Sequence, residues 1–419
     1  MTRIAIVGAG PKAAAIAAKS RALRECGHAS ALEVHAIDRA RPGAAWSGGY
    51  GYSDGSTPLC TPALRDLGFP YASHPYGRDV AEFMLAHFSW TRFLISRGDA
   101  YARWVDRGCP APSHRLFADY IDWAIQGSAD RLITEEVVGL KHTAAGWRVR
   151  VTSGGLLPDA YDAVVITGSG PPVAPLAGAT MRVLDGENLW RSESLVRMLL
   201  DDPENPVVVI GAGGTSAAAV SWLMARRFER NPIWIVGSQA TLHARIPNAF
   251  ENRLFGDDDA WALRSLTQQQ QFLDRLDAGA VWAPVLERIA DHGNLSYFPG
   301  RADHYATKPA PSGRGHDLWV VVKRGSGPNV RLPAALAVDC RGFDGLWFRQ
   351  LLERPAQAAL DALKQSGVSL VDGTFAVRDP FPHPGLHVPG SGAAVGPAAR
   401  NLMALGWMAD KLIRKYAPP

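Results

Sequence analysis

Near its start the chain reads Ile4-Ala5-Ile6-Val7-Gly8-Ala9-Gly10-Pro11-Lys12-Ala13, and at mid-length Val207-Val208-Val209-Ile210-Gly211-Ala212-Gly213-Gly214-Thr215-Ser216. Each stretch is a short apolar run, a glycine turn, and then an apolar segment of helical length, to about Arg24 and about Arg227. A second strand pattern follows each, Leu32–Ile37 and Pro232–Val236. This is the opening of a dinucleotide-binding βαβ unit, present twice. The expected fold class is α/β with two Rossmann-like domains. An aromatic-rich helical segment is expected at residues 78–130 between them.

The residue types of the first loop have separate physical roles. Gly8 permits a tight turn out of the strand, Gly10 lets backbone approach a pyrophosphate, and small Ala13 allows close helix–strand contact. Pro11 and Lys12 open the helix, whose free N–H groups and positive dipole end face the phosphates. Asp38 ends the next strand, where a carboxylate hydrogen-bonds ribose hydroxyls. Gly211, Gly213, Gly214, Thr215 and Ser216 repeat the arrangement in the second loop. Its following strand ends Val236-Gly237-Ser238-Gln239, without a carboxylate. An acid there would repel a 2′-phosphate, so Ser238 favours NADP(H) over NAD(H). Arg226, Arg227 and Arg245 are candidate partners for that phosphate; each reads equally well as a solvated charge. The N-terminal loop suits FAD and the internal one NADPH, which points to hydride transfer between two bound cofactors.

Composition excludes other classes. A chain of 419 residues is long enough for two or three domains. Hydrophobic residues at 47% and charged residues at 20% are globular values and exclude disorder. Lys+Arg 44 against Asp+Glu 40 leaves +4 scattered along the chain, so no nucleic-acid partner is expected. Cys26, Cys60, Cys109 and Cys340 lie far apart, without a C-x-x-C. His383 and His387 have metal-like spacing, but Pro384 and Gly385 keep their imidazoles off one helical face, and no metal is expected. Pro206–Ala225 is nearly uncharged, yet its glycines break it into strand, turn and helix rather than a membrane span. No secretory pattern is visible, so a soluble cytoplasmic protein with no membrane partner is expected.

Further motifs carry a family resemblance. They are Gly8-Ala9-Gly10-Pro11; Pro42-Gly43-Ala44-Ala45-Trp46; and the strand ends Val164-Val165-Ile166-Thr167-Gly168 and Val338-Asp339-Cys340-Arg341-Gly342-Phe343. Near the C-terminus come Pro389-Gly390-Ser391-Gly392 and Asn401-Leu402-Met403-Ala404-Leu405-Gly406. Finally, Phe250-Glu251-Asn252-Arg253-Leu254-Phe255 is similar to an F-x-N-E-x-F stretch. Together they resemble the flavin-dependent single-component monooxygenases, most of all the N-hydroxylating branch of lysine and ornithine monooxygenases. Arg253 departs from that branch's usual glutamate, and Val183–Trp190 lacks the histidine of the Baeyer–Villiger fingerprint.

The resemblance implies an FAD domain from residues 1–178 and 331–419, with an NADPH domain, 179–330, inserted between. It implies reduction of FAD by NADPH, capture of dioxygen as a C4a-hydroperoxyflavin, and hydroxylation of a small amine at its neutral nitrogen. Trp46 would wrap the flavin, Gly390, Asn401 and Leu402 would close its site, and Asn252 would hold substrate or nicotinamide. In the loop Leu59–Tyr71, Phe69 and Tyr71 either line a pocket or tuck the loop into the core. Two alternatives stay open: an NADPH-dependent flavin oxidase or reductase without oxygen insertion, and a non-catalytic FAD-binding sensor. Product oxygen against peroxide release separates the first, and failure of reduced nicotinamide to bleach the flavin would mark the second.

Overall fold

Five parallel strands form the first sheet, in the order Leu386–His387, Ala163–Ile166, Arg3–Val7, Glu33–Asp38 and Arg131–Thr134. Five more form the second, in the order Leu295–Pro299, Ile233–Gly237, Val207–Ile210, Leu336–Asp339 and Val183–Asp185. The computed structural model describes residues 2–28, 32–228, 230–277, 280–307, 318–325 and 327–419. In each sheet the glycine-loop strand is central. Its βαβ partner lies on one side and a later strand on the other, so each loop opens at the switch point where such sheets bind ligands.

Burial explains why these strands read as unbroken apolar runs. Ile4–Val7 and Val207–Ile210 are covered on both faces, as parallel strands are. On the second sheet Val207 and Val209 pack with Trp222 and Leu223 of helix Gly214–Ala225. Val208 and Ile210 point the other way, onto Tyr305, Val320 and Leu332 of a three-stranded antiparallel layer.

The segment around residues 78–130 forms four helices, Arg78–Phe88, Trp90–Ile95, Ala100–Asp106 and His114–Ser128. Ser89 and Ser113 cap two of them by accepting the N–H groups of Arg92 and Leu116. Trp90, Phe93 and Tyr120 are buried among one another, with Trp90 edge-on to Tyr120 at 5.4 Å between centroids. Their role is packing.

The two crossings between the sheets run side by side: the Val173 N–H donates to the Gly342 carbonyl at 3.0 Å, and Pro172 bridges to Phe343. Residue 331, the expected start of the second FAD segment, lies within strand Val330–Ala334. Leu336–Asp339 pairs in register with Val207–Ile210, and Val330–Ala334 belongs to the antiparallel layer beneath it. Leu336–Asp339 is thereby a direct neighbour of the second glycine-loop strand.

Candidate active site

The first glycine loop is shaped by its neighbours before any ligand arrives. Gly8 has φ +98°, and a Cβ there would meet the Thr167 hydroxyl at 2.9 Å. That hydroxyl donates to the Gly8 carbonyl at 2.7 Å. The Asp38 carboxylate accepts the Ala9 N–H at 2.7 Å and the Ala40 N–H at 3.0 Å, which docks the acid on the loop. Burial pushes its pKa up, and these N–H donors pull it back. The Gly43 N–H donates to Ala9, so the Pro42–Trp46 segment lies directly over the loop. There Trp46 meets His114 edge-on at 4.8 Å and Phe117 at 5.6 Å. Burial lowers His114 to about 4, so its ring is neutral near pH 7, and its Nδ1 shares a hydrogen bond with Ser53 at 2.8 Å.

Helix Pro11–Glu25 begins without any side-chain cap, and a Cβ built on Gly10 would meet nothing within 4 Å. Open space before free N–H groups fits a pyrophosphate. The C-terminal turn Pro397–Arg400 closes on the same helix, because Lys12 Nζ donates to the Ala399 carbonyl at 2.6 Å. Asn401 builds this turn: its amide donates to Pro397 at 2.7 Å and accepts from the Met403 N–H at 2.9 Å. Leu402 is half-buried against the first core, and a Cβ on Gly390 would meet open space.

The second loop repeats the pattern. Gly211 has φ +118°, and a Cβ there would collide with the Cys340 carbonyl. Helix Gly214–Ala225 also starts without a side-chain cap. The Ser216 hydroxyl is buried and has no hydrogen-bond partner among the described residues, and an orphaned donor in this first turn fits a phosphate oxygen. The Thr215 methyl lies against Gly186, where a Cβ would clash. Ser238 is exposed just past strand Ile233–Gly237.

Two of the arginine candidates for the 2′-phosphate are on the wrong side. Arg226 and Arg227 follow the last turn of helix Gly214–Ala225, about 18 Å from its N-terminus, the end expected to meet phosphate. Arg226 is also committed to Glu193 at 3.0 Å and stacks over Trp222 at 4.2 Å.

Arg245 lies elsewhere, in a neighbourhood that the sequence does not reveal as a unit. Its guanidinium stacks over Phe255 at 5.1 Å, and one terminal nitrogen is buried without a partner among the described residues. Burial lowers its pKa, while Glu251 and Cys60 counter that. Burial, then the charge of Arg245, lowers Arg65 as well. Arg65 comes from the loop Leu59–Tyr71, stacks over Phe69 at 4.3 Å, and donates to the carbonyls of Met403 at 2.8 Å and Asn252 at 3.5 Å. Asn252 sits on the short helix Ala249–Arg253, capped by Asn248. Its neighbour Arg253 turns outward to Asp257 at 2.7 Å. The loop itself is tucked rather than pocket-lining at Tyr71, whose hydroxyl donates to buried Asp66 at 2.6 Å. This neighbourhood thus joins the first unit's loop, the inserted segment and the C-terminal segment through the bonds of Arg65. No local motif marks it, because its two arginines are far apart in the chain.

The chain is 30% identical to the L-lysine N6-monooxygenase MbtG of Mycobacterium sp. (strain MCS), over 98% of this chain and 94% of that one. It is 32% identical to the MbtG of Mycolicibacterium paratuberculosis, over 100% and 96% of the two chains. The chain belongs to the L-lysine N6-monooxygenase family. Residues 5–170 also match the FAD-NAD(P)-binding family. The lysine monooxygenase NbtG from Nocardia farcinica superposes with a TM-score of 0.82 at 30% identity, covering 98% of this chain and 100% of that one. Ornithine hydroxylase PvdA from Pseudomonas aeruginosa shares the fold, with a TM-score of 0.71 at 19% identity over 100% and 99%. As a member of the L-lysine N6-monooxygenase family, the chain is an FAD- and NADPH-dependent monooxygenase that N-hydroxylates a small amine with dioxygen. The oxidase and sensor alternatives are not favoured. Among the described residues no helix is long and apolar enough to cross a membrane.

Proposed function

We infer that the substrate is the side-chain amine of lysine or a closely similar α-amino acid. The observation that carries this reading is a buried Arg245 guanidinium nitrogen without a partner among the described residues, with Arg65, which donates to the Asn252 carbonyl, near enough for its charge to be felt. Two half-buried cations so placed repel each other, and a carboxylate between them relieves both. Curated relatives named as lysine N6-monooxygenases support the same substrate.

In this reading Gly8, Gly10, Pro11, Lys12, Ala13, Asp38, Trp46, Gly390, Asn401 and Leu402 surround FAD. Asn401 acts by shaping the closing turn. Gly211, Gly213, Gly214, Thr215, Ser216 and Ser238 receive NADPH. Bound FAD, reduced by NADPH, supplies the oxygen-transfer chemistry. The chain's own residues do the positioning. Arg65 and Arg245 fix the substrate's carboxylate end, Asn252 lies beside it, and the closing turn excludes water. Four unpaired cysteines suit a reducing compartment such as the cytoplasm.

A panel of L-lysine, L-ornithine and cadaverine tests the substrate, with hydroxylamine formed per NADPH oxidised as the readout. Lysine should couple best; cadaverine matching it would remove the role given to the arginines. Nucleotide choice is tested separately by anaerobic flavin bleaching. Ser238→Asp should move the specificity ratio toward NADH by at least about tenfold, or ~1.4 kcal/mol, by repelling the 2′-phosphate and accepting from ribose. An unmoved ratio would place the adenosine ribose away from this strand end.

A further inference from the structure

Asp66 is an unusual residue to find inside a connecting loop. It is buried, with 3% of its surface exposed, and its carboxylate is held by three uncharged donors. The Tyr71 hydroxyl donates at 2.6 Å, the Trp90 N–H at 2.8 Å and the Gly68 N–H at 3.3 Å. Burial raises its pKa from 3.8 to about 6 against the pull of these donors, so above pH 7 it is ionised and offers acceptors alone. An apolar side chain would fill such a place without the cost of a buried charge. What the carboxylate adds is direction, because each hydrogen bond fixes a line of approach where an apolar contact fixes only a distance.

The donors tie a tight turn to a separate element. Gly68 and Tyr71 lie two and five residues after Asp66, whereas Trp90 opens helix Trp90–Ile95. The Leu67 N–H adds a bond to the Tyr120 hydroxyl at 3.3 Å, so the turn is fastened to two members of the aromatic cluster. Tyr71 takes φ +57°, a conformation an aromatic residue keeps only where its surroundings over-determine it. Arg65, the residue before Asp66, is bonded elsewhere. Its guanidinium donates to Met403 and to Asn252 and stacks over Phe69, whose carbonyl in turn accepts the Gly406 N–H at 2.9 Å.

We propose that Asp66 is a positioning residue for the substrate: its carboxylate locks the turn at residues 66–71 onto the aromatic helices and so fixes the backbone from which Arg65 reaches the substrate's carboxylate. This rests on the role given to Arg65 above and deepens it, making the aromatic helical segment the base of the substrate site. A long cationic side chain delivers its charge accurately only from a fixed backbone, and loosening that support misplaces the charge without removing it. Because the contact is remote from the reacting nitrogen, the loss should appear as a raised KM more than as a lowered kcat.

The experiment is a double-mutant cycle on the holoenzyme, with kcat/KM for L-lysine read from the hydroxylamine formed. Arg65→Met should lower it at least about tenfold. Asp66→Asn keeps the shape but points an amide N–H at groups that are themselves donors, and it should lower kcat/KM at least about fivefold, chiefly through KM. FAD content and anaerobic flavin reduction by NADPH should stay as in wild type. The double variant should match Arg65→Met alone within about twofold, since a residue that acts through Arg65 then has nothing left to position. Tyr71→Phe removes a single donor and should cost at least about threefold, again only while Arg65 is present; it decides if Asp66→Asn does not fold. Wild-type kcat/KM in Asp66→Asn or Tyr71→Phe, losses that multiply in the double variants, or FAD lost in step with turnover would overturn the proposal. Wild-type kcat/KM in Arg65→Met would instead overturn the role of Arg65, and this proposal with it.

Discussion

Gly10→Val should fold like the wild type and carry no flavin. The two halves of that expectation come from one observation. A Cβ at Gly10 meets nothing within 4 Å, and the residue has φ −93°, which any L-residue adopts. The protein alone therefore tolerates the side chain, at a capping cost of no more than about 1 kcal/mol. The space it fills is the approach to the free N–H groups of helix Pro11–Glu25, so affinity for FAD should fall by at least about 1,000-fold, or ~4 kcal/mol. Gly8 offers the contrast. Its φ of +98° and the Thr167 hydroxyl make any larger residue there a folding defect. Absorbance of the purified variant and its urea unfolding midpoint check both halves. A yellow Gly10→Val protein would move the pyrophosphate away from this loop.

Arg245→Met should lower kcat/KM for L-lysine by roughly 10- to 150-fold, the range of a lost charge-assisted contact at about 1.5–3 kcal/mol. Methionine keeps much of the length and the contact with Phe255 while removing the charge. Cadaverine carries the same terminal amine without the carboxylate, so its slower turnover should be unchanged. FAD content and NADPH reduction rate should hold as well. An equal loss with both amines would mean that Arg245 supports the fold or the nucleotide instead of the carboxylate.

How much of this was legible in the sequence depends on whether the physical requirement is local. The glycine loops are local. The turn out of a strand at Gly8 or Gly211 demands positive φ within a few residues of an apolar run, and the structure has it at both. The Asp38 position follows from counting along the βαβ unit. Helix polarity was also available and would have removed Arg226 and Arg227, since both follow the end of a helix, and it is a helix start that attracts phosphates. The strand Leu336–Asp339 was visible, but not its sheet, because a parallel strand's partner is chosen by a crossover that leaves no mark beside it. The neighbourhood of Arg65 and Arg245 was least legible. Arg65 is far from Arg245 in the chain and is placed by the packing of the loop Leu59–Tyr71 on the C-terminal segment, where the Gly406 N–H donates to Phe69 at 2.9 Å. Asn401 shows the reverse case: a motif residue whose amide is spent on its own turn.

Oxygen insertion is tested most directly by the origin of the product's oxygen. Holoenzyme, NADPH and L-lysine are mixed under oxygen-18 gas, and the product is analysed by mass spectrometry beside a peroxide assay. The expected result is a lysine hydroxylated at its side-chain nitrogen, bearing one oxygen-18 atom and formed in step with NADPH oxidation. NADPH consumed with all the oxygen recovered as peroxide, for lysine and every other amine offered, would contradict it.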